Sequence, residues 1–195
     1  MSLDTNGWLV FDIECSMYPS SEVRGSFYKR AKELLCIATY DVGTGESALY
    51  AEDTLEDGVK KVLEAKRLIA HNGRSFDIPA LGHLRPEVNK QLRSVPLSDT
   101  RWMALKSEKS PHGLLTYGQL NKLDKKLGLS TEYPNSLDAW GQRFKFPKLK
   151  MGVENPEEFW SNAKYTTELG EYCVRDVEVN FKLFEWIMKR KGIEF

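Results

Sequence analysis

Cysteine is scarce in this 195-residue chain, which carries Cys15, Cys36 and Cys173 and no C-x-x-C pair. That spacing argues against a zinc site or a disulfide framework and predicts reduced thiols. No apolar run approaches the roughly 20 residues of a membrane-spanning helix. The first residues, MSLDTNGW, lack the basic and apolar regions of a signal peptide. These absences predict a soluble, cytoplasmic protein with no membrane partner.

An excess of charge of either sign is also missing, because 28 basic residues balance 28 acidic ones. The chain therefore lacks the overall positive field of a protein that coats duplex nucleic acid. Internal repeats, low-complexity tracts and linkers are absent as well. A hydrophobic content of 41% in a chain of this length suffices for one core. We expect a single domain over residues 1–195, with residues 1–6 as a disordered leader.

The hydrophobic pattern predicts strands that come first and helices that then dominate. Glycines in DVGTGES predict a hairpin between two of the strands, and the segment 145–157 is predicted to be a mobile loop. This order favours an α/β fold with a central mixed sheet flanked by helices. Strands are predicted at 8–13, 33–42, 46–51 and 67–72, and helices at 54–65, from near Asp77, after Ser98 or Asp99, and at 117–127, 136–144 and 166–190.

The first strand changes from apolar to acidic at its C-terminal end. Asp12 and Glu14 are two residues apart, so their side chains share the sheet face of Trp8 and Val10. Open α/β sheets commonly bind ligands at this end of their strands. The alternative is that the strand simply ends there and its last residues meet water.

Two further carboxylates come from helices. Asp77 opens a helix after a strand, and its simplest role is that of an N-cap. Asp176 is harder to place at the surface, since it lies on the apolar stripe of EYCVRDVEVN with Cys173 and Val177. Tyr172, four residues earlier, shares that face, where core packing is the alternative to a functional role. A buried, ionised Asp176 requires a partner.

A divalent cation would supply that partner if the four carboxylates met at one edge of the sheet. Like charges at short range raise one another's pKa values, and a cation relieves this conflict. Oxygen ligands select Mg²⁺ or Mn²⁺, and two such ions about 4 Å apart serve in-line displacement at phosphorus. The predicted metal ligands are Asp12, Glu14, Asp77 and Asp176.

Three segments in the same order resemble the motifs of the DEDD 3′-to-5′ exonuclease superfamily. FDIE at 11–14, HNGRSFD at 71–77 and YCVRD at 172–176 correspond to D-x-E, N-x-x-x-F-D and Y-x-x-x-D. The tyrosine is typical of the branch that includes proofreading domains of family A DNA polymerases. HNGRSFDIPAL, SLDAWGQRF and YCVRDVEV are similar to segments of the polymerases of short-tailed bacteriophages. The sibling branch has a histidine where this chain has Glu171, so its mechanism is excluded.

The resemblance implies a ribonuclease H-like fold and a metal-dependent exonuclease that removes 5′-nucleotides from the 3′ end of single-stranded DNA. It implies that the four carboxylates hold two Mg²⁺ or Mn²⁺ ions, while Tyr172 orients the attacking water. Tyrosine ionises near pH 10, so it is a poor general base at neutral pH. An enzyme that trims RNA and a non-catalytic nucleic-acid-binding or partner-docking module are the alternatives. The chain would be either a free-standing exonuclease or a domain excised from a polymerase. The resemblance also implies a phage-encoded protein and a DNA polymerase module, in cis or in trans, as its partner.

Other residues are predicted to contact the substrate. By resemblance, Asn72 holds the 3′-terminal nucleotides, and its alternative is a turn residue of an Asn-Gly pair. His71 is either a substrate contact or a hydrogen-bonded structural residue, and Phe76 is either a substrate contact or core. The basic and aromatic segments RFKFPKLK (143–150) and RGSFYKRAK (24–32) predict either contacts to a single strand or solvated loops. Leu137 and Trp140 are predicted to be core.

Overall fold

The structure, a computed structural model, describes residues 4–109 and 136–193, without the side chains of 105–109. Its centre is a five-stranded sheet in the order β3-β2-β1-β4-β5. The strand β2 pairs antiparallel with both β1 and β3, and β4 and β5 run parallel to β1. The strands are β1 (Trp8–Met17), β2 (Ala31–Asp41), β3 (Glu46–Ala51), β4 (Arg67–Ala70) and β5 (Leu97–Asp99).

Seven α-helices are described around this sheet. The longest contacts both β1 and β2, and the side chain of Thr166 caps it by accepting a hydrogen bond from Leu169 N at 3.1 Å. Short 3₁₀ helices cover Phe27–Arg30, Glu52–Thr54 and Pro86–Val88. The α-helices are α1 (Leu55–Glu64), α2 (Asp77–Leu84), α3 (Asn89–Ser94), α4 (Thr100–Lys109), α5 (Leu137–Arg143), α6 (Pro156–Asn162) and α7 (Thr167–Arg190).

The two faces of the sheet carry separate apolar clusters, because alternate side chains of β1 point to opposite sides. Leu9, Phe11 and Ile13 pack with residues of α1 and α2 on one face. On the other face Val10 packs with the apolar stripe of α7, including Val177. The stripe that the sequence predicts is buried throughout, at Leu169, Cys173, Asp176, Val177, Asn180, Phe184 and Ile187.

The expectation of a mixed α/β sheet with flanking helices is confirmed. The hairpin between β2 and β3 and the helices from 55, 77, 137 and 167 are also confirmed. A helix at 117–127 lies outside the described residues. The segment 145–157 was predicted as a loop throughout, but α6 begins at Pro156. Residues 4–7 form a turn in which Trp8 N donates to Thr5 O, and residues 1–3 are not described. Neither described range contains a helix that is both long and apolar enough to cross a membrane.

Candidate metal centre

Asp12 and Glu14 project from β1 toward the same side of the sheet as α7. Both are partly buried and both line a cleft of about 370 Å³. The strand pairing shifts between Glu14 and Cys15, so β1 carries a bulge directly after the acidic pair. The prediction that the two carboxylates share one face is confirmed, and the alternative of a solvated strand end is wrong.

Asp77 reaches the same cleft from the start of α2. Its Oδ1 accepts a hydrogen bond from Ile13 N of β1 at 3.4 Å, and the side chain is buried. The interpretation of Asp77 as an N-cap is wrong, because Phe76 occupies that position. A side chain at Gly73 would collide with Ala70, so glycine allows the loop after β4 to fold tightly beside Asp77. The helix α2 packs on the opposite face from α7, yet its first residue faces β1.

Asp176 is paired with a lysine that the sequence pattern did not single out. Lys148 Nζ forms an ion pair with the Asp176 carboxylate and donates a hydrogen bond to the Tyr172 hydroxyl at 3.0 Å. The side chains of Lys148 and Asp176 are only 15% and 6% exposed. Removing one partner from such a buried pair would leave the other charge uncompensated. In the structure, the ammonium group is therefore the counter-charge of this aspartate.

The lysine is held in place by the packing of the segment after α5. Phe146 N donates to Gly141 O at 2.9 Å, and a side chain at Gly141 would come within 2.9 Å of Phe146 O. From α7, the Arg175 guanidinium and the Lys182 ammonium lie 4.1 and 4.6 Å from the centroid of the Phe146 ring. The alternative of a solvated loop is thus wrong for Phe146 and Lys148.

Burial and mutual repulsion raise the pKa of every carboxylate in the set. Burial raises the pKa of Asp12 well above its usual range, and the charges of Asp77 and Glu14 raise it further. The pKa of Glu14 rises through burial and the charge of Asp176. Burial raises the pKa of Asp77 to about 7 even though backbone N–H groups oppose the shift. Burial also raises the pKa of Asp176 to about 6, with Lys148 limiting the rise.

The raised pKa values reflect an imbalance of charge. If all four carboxylates ionise, the single ammonium group of Lys148 cannot neutralise them, and the site lacks positive charge. Asp176 Oδ1 is buried and has no hydrogen-bond partner within the described part of the chain. Asp12 and Glu14 also offer donor atoms that lie within 4.8 Å of each other and of Cys173 Sγ. Oxygen-rich, electron-pair-donating surroundings of this kind suit a hard divalent cation.

Tyr172 stands beside the carboxylates as a neutral phenol. Burial and the charge of Asp176 raise the pKa of Tyr172 to about 12, although Lys148 partly opposes them. Its oxygen accepts the hydrogen bond from Lys148, which directs the hydroxyl hydrogen elsewhere. The tyrosine can therefore donate a hydrogen bond in the site, and it cannot serve as a base near neutral pH.

The three residues predicted to bind substrate all line the cleft, and each also has a structural contact. His71 Nδ1 lies 3.1 Å from the Thr100 hydroxyl, in a buried network that continues to Asn180. Asn72 has a positive φ of 71°, and its side-chain oxygen accepts a hydrogen bond from Arg101 at 2.9 Å. Both roles that the sequence left open for these two residues are compatible with this geometry.

Phe76 is partly buried and packs on the apolar cluster of the α1 and α2 face. Its ring centroid lies 5.4 Å from that of Phe27, which is 60% exposed. An aromatic pair thus extends from the cleft to the surface. The cleft is lined by Asp12, Ile13, Glu14, His71, Asn72, Phe76, Asp77, Arg101, Ser136, Leu137, Lys148 and Asp176.

Asp99 is a further residue whose role the sequence pattern showed only in part. It was predicted as a possible cap of α4, and it does accept a hydrogen bond from Trp102 N at 3.2 Å. It also accepts bonds from Asn72 N at 3.1 Å and Arg74 N at 3.0 Å. One buried carboxylate therefore fixes the loop that carries Asn72 and leads to Asp77. The N-cap signal was readable in the sequence, whereas the long-range bonds were not.

Comparison with known proteins adds a likeness of fold. No protein-family model matches the chain, and no curated protein matches it. Among solved structures, it is similar to the family B DNA polymerase from the hyperthermophilic archaeon Pyrobaculum calidifontis, with a TM-score of 0.54 and 16% sequence identity. The similarity covers 93% of this chain and 24% of the polymerase chain, so the protein spans about a quarter of that polymerase. At this identity, the likeness concerns a polymerase-related fold alone.

Proposed function

We propose that the protein is a metal-dependent 3′-to-5′ exonuclease that hydrolyses single-stranded DNA to 5′-nucleoside monophosphates. The observation that carries the proposal is the convergence of Asp12, Glu14, Asp77 and Asp176 on one cleft. These four residues come from three separate elements, β1, α2 and α7. Helix capping, solvation or core packing would not bring them together. The strand order and the likeness to a polymerase support a ribonuclease H-like fold for the domain.

The donor set fits Mg²⁺ or Mn²⁺. Asp12, Glu14, Asp77 and Asp176 would hold two such ions, which when bound would activate a water and stabilise charge on the phosphate. The raised pKa values of the carboxylates show how strongly the site disfavours ionisation without added positive charge. The buried, unpartnered Asp176 Oδ1 is a ligand atom ready for this use.

The remaining residues of the site orient and enclose the substrate. Tyr172 donates a hydrogen bond that positions the attacking water, and Lys148 holds the phenol in that role through its own bond to the hydroxyl oxygen. Asn72 and His71 line the same cleft, where the terminal nucleotide would lie. Phe76 offers a ring on which a base can stack.

DNA is the proposed substrate, and a DNA polymerase module in cis or in trans is the proposed partner. The likeness of fold to part of a DNA polymerase favours this choice over an RNA-trimming enzyme. A protein distinguishes the two nucleic acids by accommodating or excluding the 2′-hydroxyl group. Cleavage of RNA at a rate equal to that of DNA would overturn the substrate assignment while leaving the chemistry intact.

The test is digestion of 5′-labelled single-stranded DNA with Mg²⁺ or Mn²⁺, beside RNA of the same sequence. We expect a ladder that shortens from the 3′ end and is lost in Asp12→Ala. Asp57→Ala is the matched control, because Asp57 is exposed on α1. Cleavage that persists in Asp12→Ala, or its absence in the wild-type protein with both ions, would contradict the proposal. The second result would favour the non-catalytic binding module.

A further inference from the structure

Two of the three cysteines lie directly beside the carboxylates of β1. Cys173 Sγ is 3.6 Å from Asp12 O and 3.7 Å from Asp12 Oδ2. Cys36 and Cys173 pack in the same buried cluster on the α7 face. Cys36 stands directly opposite Glu14 in the antiparallel pairing of β1 and β2, so the two side chains share a sheet face. Cys36, Cys173, Asp12 and Glu14 form what we call the thiol–carboxylate set.

The spacing of Cys173 and Asp12 matches that of two neighbouring ligands in a tetrahedral soft-metal site. Metal–sulfur and metal–oxygen bonds of about 2.3 and 2.0 Å in a tetrahedron place a sulfur and an oxygen ligand about 3.5 Å apart. The observed 3.7 Å between Cys173 Sγ and Asp12 Oδ2 is close to this value. One donor atom from each of Asp12, Glu14 and Cys173 lies within 4.8 Å of the other two.

The third cysteine shows that thiol burial alone does not create such a set. Cys15 is also buried, but it packs in the cluster on the α1 and α2 face, with its sulfur 3.6 Å from Met17 Sδ. Cys36 and Cys173 pack in the cluster on the α7 face, where the carboxylates project. The protein thus contains two thiols inside the set and one outside it.

We propose that the thiol–carboxylate set binds one thiophilic divalent cation, of the class of Zn²⁺ or Cd²⁺, between Cys36, Cys173, Asp12 and Glu14. Two thiolates and two carboxylates make a four-ligand donor set of borderline to soft character, which Mg²⁺ does not use. Each thiol releases its proton to solvent when the ion binds. The ion reaches the set from the cleft, which Asp12 and Glu14 line.

Binding at this set would oppose the hydrolysis proposed above. Asp12 and Glu14 cannot simultaneously complete a tetrahedral thiolate site and an octahedral Mg²⁺ site. A thiophilic ion would therefore inhibit the enzyme by withdrawing two of its four oxygen ligands. This inhibitory consequence rests on the proposed function, whereas the binding of the ion does not.

The experiment is a Cd²⁺ titration of the full chain, without nucleic acid and with a non-thiol reductant. Sulfur-to-cadmium charge-transfer absorption in the ultraviolet reports thiolate ligation directly. We expect one equivalent of Cd²⁺ to saturate the band. Cys36→Ser and Cys173→Ser should each halve its amplitude and weaken binding at least about tenfold, and the double variant should abolish the band. Cys15→Ser is the matched control and should leave the titration unchanged.

The outcomes separate cleanly. Absence of the band in the wild-type protein, its persistence in the double variant, or its loss in Cys15→Ser would overturn the inference. Circular dichroism and melting of each variant verify folding, and the corresponding alanine variants replace any serine variant that fails to fold. In the nuclease assay with excess Mg²⁺, Cd²⁺ should inhibit the wild-type protein and spare the double variant. Cleavage of DNA without a cadmium band would contradict the thiophilic-ion site and leave the proposed exonuclease function intact. A cadmium band without cleavage would contradict only the proposed function.

Discussion

The clustered carboxylates predict an unusual dependence of stability on pH in the metal-free protein. Asp77 and Asp176 have folded-state pKa values of about 7 and about 6, well above the ordinary aspartate value. A group with a raised folded pKa stabilises the fold at low pH, and this contribution is lost as the pH rises through the folded value. The chelated protein should therefore become less stable between pH 5 and pH 7.5, whereas most proteins are most stable between about pH 5 and 8.

The magnitude follows from the proton count. Each of the two groups holds a proton in the folded state that it loses in the unfolded state, and each pH unit in this range is worth about 1.4 kcal/mol per proton. Asp77 contributes to this loss of stability over about two pH units, from pH 5 to pH 7. Asp176 contributes to it over about one pH unit, from pH 5 to pH 6. The expected loss is about 4 kcal/mol, or roughly 8 to 16 °C in melting temperature for a domain of this size. Asp12 and Glu14, whose pKa values are also raised, act in the same direction.

The assay is thermal melting with a chelator at a series of pH values, repeated with saturating Mg²⁺. The ion should raise the melting temperature far more at pH 7.5 than at pH 5. At pH 5 protons already neutralise the carboxylates, whereas at pH 7.5 those protons are lost and the bound ion supplies the positive charge instead. Asp77→Asn retains an oxygen acceptor for Ile13 N but removes the charge, so it should flatten the slope and stabilise the chelated protein at pH 7.5. Asp57→Asn, a change at an exposed position on α1, should leave the slope unaltered. A chelated wild-type protein that melts at the same or a higher temperature at pH 7.5 than at pH 5 would refute the reasoning.

Three further predictions concern single side chains. Tyr172→Phe should slow single-turnover hydrolysis by about 10²-fold or less, since it removes one hydrogen bond, while Asp12→Ala should slow it more; the reverse order would contradict the assignment. Lys148→Met should tighten Mn²⁺ binding in calorimetry by about tenfold, because the internal ammonium competes with the ion, and unchanged affinity would exclude such competition. Thr100→Val should lower the free energy of unfolding in urea by about 1 to 3 kcal/mol, because Asn180 Oδ1 loses a buried donor at 2.6 Å; an unchanged value would contradict that account.

Local periodicity was enough to predict the parts of the site that lie on regular elements. The i, i+2 relation of Asp12 and Glu14 on β1 determined their common face. The helical stripe through Cys173, Asp176 and Val177 determined that Asp176 is buried. Both signals depend only on backbone geometry that repeats every two or every 3.6 residues, so they are readable without the tertiary structure.

Contacts made by irregular segments could not be predicted in this way. Lys148 follows α5 in a stretch without periodicity, and its ion pair with Asp176 joins positions 28 residues apart in the sequence. Cys173 was assigned to an apolar stripe, which is correct, but its proximity to Asp12 depends on how α7 packs on β1. The start of α6 could have been found, because Asn155 precedes Pro156 in an N-cap pattern and accepts a hydrogen bond from Glu158 N at 3.4 Å.

The distribution of the acidic residues along the chain has a consequence for biosynthesis. Asp12 and Glu14 lie on β1 and are translated before Asp176, which belongs to the 24-residue helix α7. Until α7 emerges, the α7 face of the sheet is uncovered and the carboxylate set is incomplete. A nascent chain therefore cannot bring the four carboxylates together before α7 has been translated. The nuclease proposed here would gain its activity only after α7 has been synthesised.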